Sequence, residues 1–354
     1  MHRTTKAYID FNNYIRDHLS EGLFKCEINI TSLCQHRCTM CFRDSNFLNK
    51  NEYLPFADLK KYFYWFRMNG LSDVFISGGE PLLYPNIDEF LEYLEELRYD
   101  VGIVTNGVLL DKHSKSLARE NITEIRVSLL GLNKVHDKIV KKPDSFCRII
   151  VNLKNAKKLL KKIQINFTAL KSNYSELKQL VYYLTNEIGI SKILVGLPFI
   201  TPENEEKMKN EILSIEEKKE LFNCIDELQE EFQEVILNSI YSKNKENKLY
   251  PFCGIANRPF CINCDGQIWP CGQYTSPLFN IKNIKNAMQF YNKMANAILW
   301  KKIAKLDMKT CNNCLYNKCC RLCIAENFQI TGKPDRMSTY QCNKAKELYE
   351  ILYN

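Results

Sequence analysis

The chain has 354 residues and a mass of 41.5 kDa, enough for one large domain and a smaller one. Hydrophobic residues at 45% and charged residues at 25% are those of an ordinary globular protein. No apolar run approaches the roughly 18 residues of a spanning helix, and the first residues lack the apolar core of a signal peptide, so the expectation is a cytoplasmic protein with no membrane partner. The formal charge of +8 says little about partners: Lys154, Lys157, Lys158, Lys161 and Lys162 fall at helical spacing and read as a solvated face. Nucleic acid is disfavoured, because the basic stretches lack the interleaved aromatics that base stacking uses.

In chain order, strand-like runs occur at Phe24–Thr31, Val74–Ser77, Val101–Thr105, Ile125–Leu130, Ile163–Leu170 and Ile193–Phe199. Helical patterns lie between them at Ala57–Met68, Ile87–Leu97, Lys112–Glu120, Val151–Lys162 and Tyr174–Ile188. Such alternation predicts an α/β fold with a parallel sheet and ligand chemistry at the carboxyl ends of the strands. Thr201–Leu213 reads as a loop able to cover a site. Ser214 and Glu217 form a capping box that opens a helix running to about Phe232. After a polar linker at 243–248 come a helical stretch at about 284–305 and a last helix at about 344–352. The organisation expected is an N-terminal segment (1–20), a core (21–240) and a C-terminal cysteine-rich domain (241–354).

The 16 cysteines are the anomaly. In a reducing compartment so many thiols point to metal ligation or catalysis rather than disulfides. Cys26, Cys147 and Cys224 stand alone and read as small buried hydrophobes. Cys34, Cys38 and Cys41 fall within eight residues directly after the first strand. That spacing can wrap three irons of a cubane and leaves the fourth iron open, as a reactive centre requires. The competing reading is a zinc site completed by His36.

Cys34-x3-Cys38-x2-Cys41, with apolar Met40 before the third cysteine, resembles the signature of the radical S-adenosylmethionine (SAM) superfamily. Ser77-Gly78-Gly79-Glu80-Pro81 resembles its GGEP motif, and two adjacent glycines let backbone approach a ligand closely. Thr105-Asn106-Gly107 resembles its TNG turn. Ser128-Leu129-Leu130-Gly131 followed by His136-Asp137 resembles its fourth-strand pattern, with Leu130 where aspartate is usual and Val140 where many relatives have arginine. The resemblance implies a partial (β/α)6 TIM-like barrel over residues 20–200. It also implies a [4Fe–4S] cluster on Cys34, Cys38 and Cys41, and SAM contacts from Met40, Gly78, Gly79, Glu80, Asn106 and Ser128. The implied chemistry is reductive cleavage of SAM to a 5′-deoxyadenosyl radical that abstracts a substrate hydrogen.

The C-terminal run Cys253-x12-Gly266-x4-Cys271, Cys311-x2-Cys314, Cys319-Cys320, Cys323 and Cys342 resembles the SPASM extension, displaced by one residue at the paired cysteines. By that resemblance two auxiliary [4Fe–4S] clusters are expected. One would use Cys253, Cys271, Cys323 and, as a possible fourth ligand, Cys261; the other Cys311, Cys314, Cys319 or Cys320, and Cys342. Structural zinc on Cys261-x2-Cys264 with Cys311-x2-Cys314, or on Cys311-x2-Cys314 with Cys320-x2-Cys323, is the rival.

SPASM-bearing relatives mostly modify peptides, and a minority act on sugars. The short stretch before Cys34 leaves no room for a fused leader-peptide domain, an expectation from this sequence as it stands. Gly272-Gln273-Tyr274 follows Cys271 where sulfatase-maturing relatives place an aspartate base, so formylglycine formation is disfavoured and Tyr274 is a candidate for proton handling. The function expected is oxidation or crosslinking of a peptide, the alternative being dehydrogenation or epimerisation of a carbohydrate or other small metabolite. A flavodoxin- or ferredoxin-type reductant would supply the electron.

Overall fold

The structure, a computed structural model, describes residues 25–43, 45–160, 162–200, 204–232, 236–238, 259–274, 276–295, 314–320, 323–333 and 338–353. The N-terminal segment, the 243–248 linker, Cys253, Cys311 and the second half of the expected 284–305 helix lie outside the described residues.

Six strands form where apolar alternation predicts them: β1 (Lys25–Thr31), β2 (Asp73–Gly78), β3 (Asp100–Thr105), β4 (Ile122–Ser128), β5 (Ile163–Thr168) and β6 (Lys192–Gly196). A seventh, β7 (Ile236–Asn238), and three short strands β8 (Pro259–Ile262), β9 (Gln267–Trp269) and β10 (Phe279–Asn280) were not foreseen. The main helices are α1 (Phe56–Met68), α2 (Ile87–Glu96), α3 (Asn133–Val140), α4 (Ser145–Ala156), α5 (Leu177–Tyr182), α6 (Ile215–Glu231), α7 (Ala287–Ala295), α8 (Ile324–Thr331) and α9 (Thr339–Tyr353). No described helix is long and apolar enough to cross a membrane.

Several expected helices change shape. The 112–120 stretch shrinks to one turn at Ser114–Leu117, and 174–188 runs through 3-10, α and π geometry in succession. The 151–162 helix instead starts at Ser145 as α4, after the unforeseen α3. Asp137 on α3 explains that start, because its carboxylate accepts from the Asp144 and Phe146 amides, both at 2.8 Å, at the amino end of α4. The capping box at Ser214 forms with both reciprocal bonds.

The chain divides into two compact units that interleave in sequence. One comprises Ile30–Tyr53 and Phe75–Lys243; the other comprises Met1–Asn29, Leu54–Val74 and Asn244–Asn354.

In the first unit the strands follow the order β2-β3-β4-β5-β6-β7, with β3 through β7 paired in parallel, and the sheet stays open. Strand alternation gives it two unlike faces. Ile76, Ile103, Ile125, Val127, Ile165, Phe167, Ile193 and Val195 are buried on one face. The opposite face carries Phe75, Glu124, Arg126, Ser128, Asn166, Thr168 and Leu194, all half-buried, so it is polar and partly open.

In the second unit the order is β10-β9-β8-β1, with β8 parallel to β1 and β9 antiparallel to both its neighbours. An aromatic core of Phe66, Phe260 and Phe290, with ring centroids 4.9–5.4 Å apart, packs α1, β8 and α7 together. Gly266 turns the β8–β9 hairpin at φ +87°, so the glycine of the C-terminal cysteine pattern answers a backbone requirement.

Candidate active site

The loop Cys34–Cys41 begins three residues beyond β1 and is held by backbone on two sides. On one side the Gly79 amide donates to Thr31 O at 2.8 Å and the Glu80 amide to Leu33 O at 2.6 Å. On the other, the Arg37 and Thr39 amides donate to Val140 O (3.1 Å) and Ile139 O (2.8 Å) at the end of α3. The second glycine of GGEP is explained by this stitching. A Cβ on Gly79 would lie 2.3 Å from Leu33 O, and one on Gly78 would lie 2.4 Å from Thr31 O. The close approach these glycines permit is to the chain's own backbone.

Glu80 is fully buried. Its Oε1 accepts from Thr105 Oγ1 (2.6 Å) and the Leu82 amide (3.1 Å), and its Oε2 accepts from the Asn106 amide (2.7 Å). Burial nevertheless outweighs these bonds and pushes the carboxyl up to about 7. The residue thus clamps the end of β2 to the end of β3. Asn106 Oδ1 accepts from Gln35 Nε2 (3.1 Å) inside the cysteine loop and from the Val108 amide (3.0 Å).

Three thiols converge in this loop. Each is half-buried, and burial pushes all three up, Cys34 to about 11. Cys34 and Cys38 each sit close enough to the other cysteines to be pushed further by them. The His36 amide donates to the Cys34 thiol and the Arg43 amide to that of Cys41, and the Arg43 charge also favours the Cys41 thiolate. Without iron these groups are neutral thiols; thiolates here require the positive charge of a metal centre.

The residues fit an iron–sulfur cluster with a ligand on its open iron. Among the described residues no three His, Cys, Asp or Glu side chains converge at single-ion distance. His36, the ligand that would complete a zinc site, is buried with its Nε2 bonded to Ser145 Oγ at 3.0 Å. Beside the thiols, Asn106 Nδ2 and Gln35 Oε1 are buried without any hydrogen-bond partner, an orphan donor and an orphan acceptor left for a bound molecule.

The departures at Leu130 and Val140 prove to be coupled. Both belong to one buried apolar cluster with Ile139, Leu170 and Met208, against which Cys38 and Met40 pack. Met208 comes from the stretch read as a covering loop; it carries a short helix, Glu205–Met208, and Met208 is fully buried. Gln35, Met208 and the His36–Ser145 bond were missed from sequence, because each depends on residues distant in the chain. Ser128 ends β4 on the open face, half-buried.

The C-terminal cysteines are described in the other unit. Cys261 and Cys264 are buried and Cys271 half-buried; Cys319 is buried, Cys320 and Cys323 are half-buried, and Cys314 and Cys342 are exposed. Asn29 Nδ2 donates to Cys261 Sγ at 3.1 Å, and Cys323 Sγ accepts from the Glu326 amide at 3.4 Å as the cap of α8. None of the described cysteines is in a disulfide. Tyr274 is 1% exposed and stacks on Phe328 at 4.5 Å, with its phenol pushed up by burial, the surroundings of a packing residue rather than a proton carrier.

Comparison with known proteins agrees with this geometry. A GTP 3′,8-cyclase of Aquifex aeolicus is 25% identical over 274 residues, covering 72% of this chain and 83% of the relative. A GTP 3′,8-cyclase of Staphylococcus epidermidis is 36% identical over 123 residues, covering 32% of this chain and 36% of the relative. Among solved structures, Streptococcus suis SuiB bound to its precursor peptide SuiA superposes with a TM-score of 0.73 at 21% identity, covering 93% of this chain and 79% of SuiB. The enzyme anSMEcpe with bound AdoMet and a Cp18Cys peptide gives 0.70 at 19% identity, covering 94% and 97%. These likenesses establish a shared fold. Residues 28–184, which hold the cysteine loop and the GGEP and TNG turns, match the Radical SAM superfamily model, so this stretch of the chain is a radical SAM domain.

Proposed function

We propose that this radical SAM enzyme oxidises or crosslinks a peptide, with Cys34, Cys38 and Cys41 holding the cluster that cleaves SAM. A [4Fe–4S] cluster bound there, with SAM, supplies one-electron cleavage to a 5′-deoxyadenosyl radical. The chain's own residues do the rest. Gly79 and Glu80 hold the loop against the strand ends, Asn106 and Gln35 offer a donor and an acceptor beside it, and the apolar floor of Leu130, Val140 and Met208 limits water under Cys38. The C-terminal cysteines would carry two auxiliary clusters in a SPASM-like arrangement, giving the substrate radical an electron outlet.

One observation carries the choice of substrate. Around Phe75 and Ser128 on the open face the charges are Arg126 and Glu124, paired at 2.9 Å, while Asp73 and Lys192 lie at the starts of β2 and β6. A polar patch whose one cation is paired, with Ser128, Asn166 and Thr168 available for amides, suits a peptide better than a triphosphate, which needs several unpaired cations. The similarity to SuiB and anSMEcpe, whose structures hold peptides, favours the same reading. The sequence similarity to GTP 3′,8-cyclases favours the small-metabolite alternative, with a purine nucleotide as substrate.

The test uses anaerobically reconstituted protein, SAM and dithionite. Iron and sulfide near 12 per chain are expected if three cubanes are present, and 5′-deoxyadenosine must form. A Cys34/Cys38/Cys41→Ala variant yielding as much 5′-deoxyadenosine would refute the radical assignment. Incubation with short peptides encoded beside the gene should give a product lighter by two hydrogens. Consumption of GTP in step with 5′-deoxyadenosine would overturn the peptide reading.

A further inference from the structure

Two buried histidines and a buried serine form a chain of hydrogen bonds that neither the SAM contacts nor the open face uses. Ser145 Oγ lies 3.0 Å from His36 Nε2 and 3.4 Å from His136 Nε2, and all three residues are at most 2% exposed. The Leu130 amide donates to His136 Nδ1 at 3.1 Å. That single bond orders the whole chain. With Nδ1 as acceptor, the neutral His136 ring carries its proton on Nε2 and donates to Ser145 Oγ; the hydroxyl then donates to His36 Nε2. The direction runs from the strand-end amide of β4, through α3 and the first residue of α4, into the cysteine loop.

We propose that Ser145 and His136 are positioning residues that set the reduction potential of the cluster on Cys34, Cys38 and Cys41, by fixing the pose of His36. The inference rests on the reading that this triad binds the cluster. His36 is two residues after Cys34 and its amide donates to the Cys34 thiol. The loop is already fastened by Arg37 and Thr39 to the carbonyls of Val140 and Ile139. Ser145 is therefore not needed to attach the loop; it adds a side-chain anchor at the residue between Cys34 and those fastenings. Hydrogen bonds to cluster sulfurs stabilise the more negative, reduced state and raise the potential. Loosening His36 weakens one such bond, so the cluster becomes harder to reduce. A residue that merely fills space would lower stability and leave the potential alone.

The test compares wild type, Ser145→Ala and Ser145→Thr as reconstituted holoenzymes. The fraction reduced at a fixed solution potential is read from the EPR signal that changes on adding SAM, which singles out the triad cluster. Ser145→Ala should keep the wild-type iron content while its reduced fraction falls several-fold, tenfold corresponding to about 59 mV for a one-electron couple. Ser145→Thr, which keeps the hydroxyl, should return to within twofold of wild type. An unchanged reduced fraction in Ser145→Ala overturns the proposal, as does an equal shift in both variants. If Ser145→Ala takes up no iron, Ser145→Thr decides alone: a wild-type fraction supports the proposal and a shifted one overturns it. Wild type without a SAM-responsive signal would instead sink the cluster reading beneath it.

Discussion

Replacing Gly79 by alanine tests the stitching of the cysteine loop to the strand ends. The added Cβ would lie 2.3 Å from Leu33 O and 2.7 Å from Leu33 C and Ser32 O, where 3.4 Å marks ordinary contact. All three are backbone atoms, so no side-chain rotation relieves the overlap and the segment must move by about 1 Å. That motion stretches the bonds from Gly79 N to Thr31 O and from Glu80 N to Leu33 O. Overpacking at about 1–3 kcal/mol and weakening of two hydrogen bonds at about 1 kcal/mol each give a loss of roughly 3–5 kcal/mol, which most proteins of ordinary stability survive. The chemistry suffers more, because Leu33 adjoins Cys34 and a 1 Å misplacement can cost about 100-fold. Gly189→Ala is the control. Gly189 has φ +71° and an added Cβ meets only the flexible end of Lys157, so the variant should lose about 1–2 kcal/mol without touching the loop. Urea unfolding and 5′-deoxyadenosine formation would be measured on both. Equal activity losses in the two variants, or wild-type iron content and turnover in Gly79→Ala, would refute the reasoning.

Glu80 predicts a pH dependence. Its carboxyl is raised by burial to about 7 from an ordinary 4.5, so its stabilising contribution is complete below about 4.5 and is lost as pH rises through 7. Relative to Glu80→Gln, metal-free wild type should lose on the order of 3 kcal/mol between pH 4.5 and 8; a pH-independent difference in urea titrations would contradict a buried, under-compensated charge. Asn106→Ala removes the orphan Nδ2 donor beside the thiols, and SAM affinity read from the EPR titration should fall by about 1–3 kcal/mol, or roughly five- to 150-fold. Unchanged affinity would mean that the donor faces something other than the cofactor. Ser214→Ala breaks the capping box and should cost about 1 kcal/mol of stability with SAM cleavage intact; a loss of cleavage would place α6 in the site.

Local chemistry decided much of this protein, and that part was legible. The six strands follow from runs of β-branched and aliphatic residues, the start of α6 from Ser214 and Glu217 three residues apart, and the triad from cysteine spacing alone. Features without a local signature were not legible. Helix α3 is preceded by Leu132, which offers no side-chain cap, and followed by Lys141 at φ +55°, so neither the usual start residue nor a glycine announces it. Strands β8–β10 are two to four residues long, too short for a period, and form because β8 finds β1 more than 200 residues earlier in the chain. The same holds at the site. Sequence supplied the ligands and the two glycines, but only the fold revealed that the glycines make room for Leu33 and Thr31, that Glu80 clamps β2 to β3, and that Leu130 and Val140 share one apolar floor. The hydrogen bond between His36 and Ser145 spans 109 positions. Spacing along the chain dictates what a loop can ligate; what holds that loop in place is set by contacts between residues that meet only once the sheet has formed.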